Sequence, residues 1–261
     1  MEHKGVQAGQ HHLSEHTELT VFSAYISMIV AAWEYIKDIK TKVIHDLEGI
    51  KSMDGFRTVK VVAIGDSLTA GYTTPSRYNS HMHNLPYTNY LDNIIITAQS
   101  RMGQTDVDVV IVNLGRNGDS ARGMLDRLTT EAARHKPDYV IVWGGINGLF
   151  SKPPEETLQS LIKLYDRVKE IGAKPIACTL TSVANQSKAI DTITYVNELI
   201  TDYCNENGIP VADLFKATSY ENHVLRVEYS SDGLHLTARG YQKVAETIFK
   251  DVIEDILKEY Q

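Results

Sequence analysis

Ser67 stands just after an apolar, β-branched run, Val61-Val62-Ala63-Ile64, that breaks at Gly65. A hydroxyl at the end of a buried strand is positioned by the strand and exposed by the turn, which is how an α/β fold presents a nucleophile. A serine hydroxyl is a weak nucleophile at neutral pH. Such a site therefore needs a base for its proton and donors for the oxyanion formed on attack. The base is offered by Asp232-Gly233-Leu234-His235. A carboxylate three residues before a histidine can reach its Nδ1, fix the tautomer and stabilise the imidazolium formed when Nε2 takes the serine proton.

Oxyanion donors must sit at the ends of strands beside the serine, and each is typically worth about 3–4 kcal/mol of barrier. Gly115 ends the run Val112-Asn113-Leu114-Gly115 and can offer a backbone N–H at close approach. Asn147, in Gly144-Gly145-Ile146-Asn147-Gly148, can offer a side-chain N–H. The Ser67 backbone N–H completes the set.

Gly118-Asp119-Ser120 repeats the Gly-Asp-Ser triplet. It follows a loop rather than a strand, and Asp119 or Ser120 is expected as the N-cap of the next helix. There is no Gly-x-Ser-x-Gly elbow, because position 69 is Thr, and no P-loop or dinucleotide-binding glycine fingerprint. His11-His12 and the pair His81 and His83 lack the carboxylate-and-histidine spacing of a zinc site and are expected as loop residues.

The positioning elements are legible as alternating patterns. Near-continuous apolar runs at 59–64, 107–113, 139–143 and 175–180, with a short one near Val211, read as five parallel strands buried on both faces. Helical patterns separate them. Pro153-Pro154 opens one, Glu155 and Glu156 occupy its first turn, Leu158, Leu161, Ile162, Tyr165 and Val168 form its stripe, and Gly172 closes it. Strands alternating with helices predict an α/β fold with a parallel sheet between helical layers. The loops 73–88 and 216–231 are expected to wall the site, because ligands bind beyond the carboxyl ends of parallel strands.

The chain has 261 residues, 43% of them hydrophobic, and a net charge of −7. That suits one α/β domain and lacks the basic face of a nucleic-acid binder. Cys178 and Cys204 are expected as buried free thiols, in keeping with a reducing compartment. Residues 1–56 read as an N-terminal helical extension of a domain at 57–261. The apolar stretch Leu19–Trp33 follows Glu15 and Glu18 rather than a basic cluster and is short for a membrane span. With no signal peptide recognised, a cytoplasmic location is expected. The stripe with Phe22, Ile29 and Trp33 is expected to pack on the domain, to cover the pocket, or to join two copies in a homo-oligomer.

Gly65-Asp66-Ser67-Leu68, Gly115, Asn147 and the closing Asp232/His235 pair resemble, in order and spacing, the four blocks of the GDSL esterases and lipases, the SGNH hydrolases. The resemblance implies a flavodoxin-like three-layer α/β/α domain without metal or organic cofactor. It implies Ser67 as nucleophile, His235 as base, Asp232 as its orienter, and Ser67 N–H, Gly115 N–H and Asn147 as the oxyanion hole. Gly-Asp-Ser-Leu-Thr-Ala-Gly-Tyr is similar to the branch with bacterial lysophospholipase/thioesterases and arylesterases. Gly148 departs from the family's Gly-x-Asn-Asp, removing a carboxylate that would brace Asn147, and the resemblance leaves residues 1–56 unexplained. The activity expected is hydrolysis of short-chain carboxylic esters. The alternatives are a lysophospholipase or acyl-thioesterase, a carbohydrate acetylesterase, or a non-catalytic binding domain.

Overall fold

The computed structural model describes residues 57–74, 85–149, 152–184 and 186–260. The N-terminal stripe and His11, His12, His81 and His83 lie outside these residues. Five strands, β1 (Arg57–Gly65), β2 (Val107–Gly115), β3 (Tyr139–Trp143), β4 (Lys174–Cys178) and β5 (Val211–Ala212), form one sheet in the order β2-β1-β3-β4-β5. Every pairing is parallel. The expected strands are all present; β2 runs two residues further than its apolar pattern, and β4 stops two residues earlier.

Side chains alternate across the strands, so β1 feeds two cores. Val59, Val61 and Ala63 pack with Tyr87, Leu91 and Ile95 of α2 (Tyr87–Met102) and Tyr241 and Val244 of α8 (Ala238–Ile248). Val62 and Ile64 face the other way, onto Met124 and Leu128 of α3 (Ala121–Leu128), Leu161 and Leu164 of α5 (Pro154–Glu170), and Val196 and Ile200 of α6 (Ser187–Glu206). All five residues of β3 are buried. A strand buried on both faces needs a continuous apolar run, which is what its sequence supplies. The result is the three-layer α/β/α sandwich.

In this strand order the chain leaves β1 toward β2 on one side, and β3 flanks β1 on the other. Such a switch point opens a crevice at the carboxyl ends of β1 and β3, the place where open α/β sheets bind ligands. Gly65 lies in register with Gly115 on one side and Trp143 on the other. The short helices α1 (Ser67–Ala70) and α4 (Ile146–Leu149) start just beyond β1 and β3, and α7 (Leu214–Thr218) follows β5. Of the expected wall loops, 216–231 begins inside α7, and 75–84 lies outside the described residues. Cys178 and Cys204 are buried free thiols, and burial pushes the pKa of both well above that of an ordinary thiol.

Candidate active site

Ser67 is the first residue of α1, and Asp66 caps that helix by accepting the Leu68 N–H at 3.0 Å. The cap turns the chain sharply at the strand end and leaves Ser67 just at the surface of a buried shelf, 8% exposed. Asp66 itself is fully buried, and its Oδ2 has no hydrogen-bond partner among the described residues. Burial, with the Asp119 carboxylate nearby, pushes its pKa up to about 7 against backbone hydrogen bonds that lower it.

The oxyanion side is tied to this shelf by two polar side chains that sequence reasoning missed. Asn113, near the end of β2, donates to Thr69 O at 2.7 Å and to Thr88 Oγ1 at 3.0 Å, and its Oδ1 accepts the Gly115 N–H at 2.8 Å. The Gly115 amide is therefore engaged by a neighbouring side chain and is not presented to a substrate, contrary to the role expected for it. The need for glycine here is steric: a Cβ at 115 would lie 2.2 Å from Ala70 N. Gly118, three residues on, has φ +74°, open space at its Cβ position and no hydrogen-bond partner for its N–H among the described residues. It lines one cleft together with Asn147. The sequence signal for this was an asparagine two residues before Gly115, a spacing that lets its side chain bond the backbone locally.

Arg127 is the second tie. Nearly buried, it donates from Nη2 to Gly65 O at 3.0 Å and from Nε to Asp119 Oδ2 at 2.7 Å. The Asp119 carbonyl in turn accepts from Asn147 Nδ2 at 2.8 Å, which leaves that amide a second N–H for another acceptor. Ser120 caps α3, as expected, by accepting the Gly123 N–H at 3.2 Å. Gly148 fits closely against α5, where a Cβ would meet Thr157 Oγ1 at 2.6 Å. A side chain at 148 would therefore collide with α5.

The Asp232/His235 pair is assembled as its spacing predicts. Asp232 Oδ2 lies 2.8 Å from His235 Nδ1 and also accepts from the Thr74 hydroxyl. Its Oδ1 accepts the Leu234 and His235 N–H groups at 2.9 and 2.7 Å and the Ser230 hydroxyl at 3.3 Å. Burial acts to raise the carboxyl's pKa, but the hydrogen bonds from Thr74, His235 and the two amides outweigh it and hold the group well below the usual carboxylate range. It is an anion at neutral pH, able to stabilise an imidazolium.

Tyr72 joins this pair to the shelf. Its N–H donates to Ser67 O at 2.9 Å, and its ring meets His235 edge-on at 4.5 Å between centroids. The Tyr241 hydroxyl fixes Tyr72 by donating to its carbonyl at 2.6 Å. The structure thus brings Asp232 and His235 into contact and links them to Ser67 through Tyr72; the Ser67 hydroxyl makes no hydrogen bond among the described residues. Among those residues no group of His, Cys, Asp and Glu could hold a metal ion, and no helix is long and apolar enough to cross a membrane.

A family model, the GDSL-like lipase/acylhydrolase family, matches residues 63–243. The chain belongs to this family. It is a carboxylic ester hydrolase of the GDSL type. An arylesterase of Vibrio mimicus is 24% identical over 199 residues, covering 76% of this chain and 90% of that protein. Thioesterase 1/protease 1/lysophospholipase L1 of Escherichia coli K12 is 24% identical over 144 residues, 54% of this chain and 66% of the relative. An acetyl xylan esterase of Geobacillus stearothermophilus shares the fold at a TM-score of 0.61 and 18% identity, covering 74% of this chain and 94% of its own.

Proposed function

We propose that this GDSL hydrolase cleaves short-chain carboxylic esters through an acyl-enzyme on Ser67. Ser67 Oγ attacks the acyl carbonyl carbon while His235 Nε2 accepts its proton, and Asp232 stabilises the imidazolium. The oxyanion is held by the N–H groups of Ser67 and Gly118 and by Asn147 Nδ2, with Gly118 taking the role first expected of Gly115. His235 then protonates the leaving alcohol, and a water activated by the same imidazole releases the acid. The hydrolase domain spans residues 57–261 in this reading, a range containing the matched residues 63–243.

The observation that carries the proposal is the His235 Nδ1–Asp232 Oδ2 contact at 2.8 Å, set against Tyr72, whose N–H holds the nucleophile's own carbonyl. The name of the acetyl xylan esterase neighbour supports a small acyl group, and the cations and hydroxyls of the cleft beside Asn147 suit one better than a fatty chain. The thioesterase/lysophospholipase relative supports the second reading, a longer acyl group on a thiol or glycerol carrier.

Hydrolysis of 4-nitrophenyl acetate, butyrate, octanoate and palmitate by wild type and by Ser67→Ala separates these. We expect a maximum at acetate or butyrate and a loss of about 10⁴-fold or more in the variant. Retained activity in Ser67→Ala would sink the nucleophile assignment, and a maximum at palmitate would favour the second reading.

A further inference from the structure

A cleft of about 690 Å³ shares Gly118 and Asn147 with the proposed oxyanion hole and runs along α5. Among the described residues its walls carry Arg122, Lys152 and Lys163 against a single carboxylate, Glu156. This local excess of cations lies in a chain of net charge −7. Arg122 pairs with Asp126 at 2.9 Å and Lys152 with Glu156 at 3.7 Å, but all four side chains are more than half exposed. Pairs so open to water are weak, and each cation can still attract another anion. Lys163, exposed on the same helix, is in no ion pair among the described residues.

The remaining walls also carry polar groups. Among the described residues Ala121 is the one apolar side chain lining the cleft; the others include the hydroxyls of Ser120, Thr157 and Ser160. An alkyl chain laid here would strip water from polar groups without offering them hydrogen bonds. The charge also limits reach. Past Lys163 the groove between α3 and α5 continues with Asp126, Asp166 and Glu170 set against Arg122, Lys163 and Arg167, so the excess of cations belongs to the end nearer Asn147.

Which arm of an ester enters follows from the chemistry. In the tetrahedral adduct on Ser67 the oxyanion faces Gly118 and Asn147, and the leaving oxygen must face His235 to be protonated. The cleft borders the two donors, and no residue of the 230–235 segment lines it. We propose that this cleft receives the acyl arm and selects short acyl groups that end in a carboxylate, so that the preferred substrates are monoesters of short dicarboxylic acids. This inference rests on the serine-esterase reading above.

The test compares the 4-nitrophenyl monoester of adipic acid with 4-nitrophenyl hexanoate and acetate, at low and high salt. At low salt kcat/KM for the adipate monoester is expected to exceed that for hexanoate by about fivefold to tenfold, and the ratio to fall toward one at high salt as ions screen the exposed cations. Lys163→Gln should lower the ratio and Lys163→Glu should invert it. Lys250→Gln, an exposed lysine that does not line the cleft, should leave the ratio unchanged. An adipate monoester hydrolysed no faster than hexanoate, or a preference surviving Lys163→Glu, overturns the inference; acetate hydrolysis that depends on Ser67 would leave the esterase reading standing. Absence of Ser67-dependent hydrolysis of acetate brings down both.

Discussion

The nucleophile shelf and the acid–base loop meet at one site but are built in opposite ways. The shelf is a knot of long-range contacts: Thr69 Oγ1 to Trp143 O at 3.1 Å, Arg127 Nη2 to Gly65 O at 3.0 Å, and Asn113 Nδ2 to Thr69 O at 2.7 Å, each crossing between strands or layers. The loop is nearly self-contained. Of the seven hydrogen bonds on Asp232 or Ser230 Oγ, six lie within residues 230–235, and the Thr74 hydroxyl is the remote partner. Arg127 and Asp119 are 6% and 9% exposed, whereas His235 and Asp232 are 20% and 24% exposed. The serine is therefore placed by contacts from across the fold, while the histidine is held mostly by its own loop.

That contrast is sharpest for activity against stability. His235→Ala takes away the base but little packing, chiefly the edge-on approach of the imidazole to the Tyr72 ring. We expect kcat for a 4-nitrophenyl ester to fall by about 10⁴-fold, or about 5.5 kcal/mol of barrier, with a melting temperature close to wild type. A melting temperature lowered by many degrees would show that the loop is as deeply wired as the shelf.

Arg127→Met should behave the other way. The substitution keeps much of the side-chain volume but leaves Asp119 as a nearly buried, unpaired carboxylate and the Gly65 carbonyl without one of its donors. Breaking a buried pair from one side costs about 3–5 kcal/mol. Denaturant unfolding is the measurement. Activity should fall with the folded fraction and also through Asn147, whose amide is anchored on the Asp119 carbonyl. Unchanged stability would mean that the shelf does not depend on the ion pair.

The same contrast governs how much can be read from the chain alone. Asp232 and His235 are legible because the contact is local, three residues apart, and spacing alone fixes it. β3 is legible to the residue because a strand buried on both faces writes a continuous apolar run. Arg127 cannot be found that way: on a helix pattern it reads as a solvated cation, and its partner Gly65 lies 62 residues away. Gly115 misleads for a related reason. Strand ends favour glycine both for donating an N–H and for letting another backbone approach, and only the position of the Asn113 side chain and of α1 tells the two apart. Thr74 is equally invisible, since nothing in a lone threonine marks it as a partner for a carboxylate 158 residues away.

Asp66 lets the shelf be probed by pH. With its pKa raised from the ordinary 3.8 to about 7 by burial, the folded protein keeps a proton that the unfolded chain loses. The stability from this protonated cap is complete below pH 3.8 and is lost as pH climbs through about 7. Asp66→Asn keeps an oxygen for the Leu68 N–H and removes the ionisation. The stability difference between wild type and variant should shift against wild type by about 2–4 kcal/mol from pH 4 to pH 8. Taking the difference cancels Asp92, which burial also raises. A difference independent of pH would place the titration elsewhere.

The smallest expected effect falls where the two regions touch. Thr74 leaves the nucleophile side of the chain and donates to Asp232 Oδ2, the same oxygen that holds His235 Nδ1. Thr74→Val preserves shape and removes one of the donors that keep Asp232 ionised. A hydrogen bond to a charged group contributes about 1.5–3 kcal/mol when nothing replaces it, and less here because water can reach the site. We expect kcat/KM to fall about threefold to tenfold. Asp232 should also titrate at higher pH, because without that donor burial pushes its pKa up; stability that its ionised form supplies above the unfolded pKa would then be lost at a less acid pH. Acid unfolding followed beside kcat/KM separates the outcomes. A drop in activity with an unshifted acid transition would mean that Thr74 orients the histidine rather than holding the carboxylate charged, and no change in either would mean that the loop positions its own catalytic pair without help from the shelf.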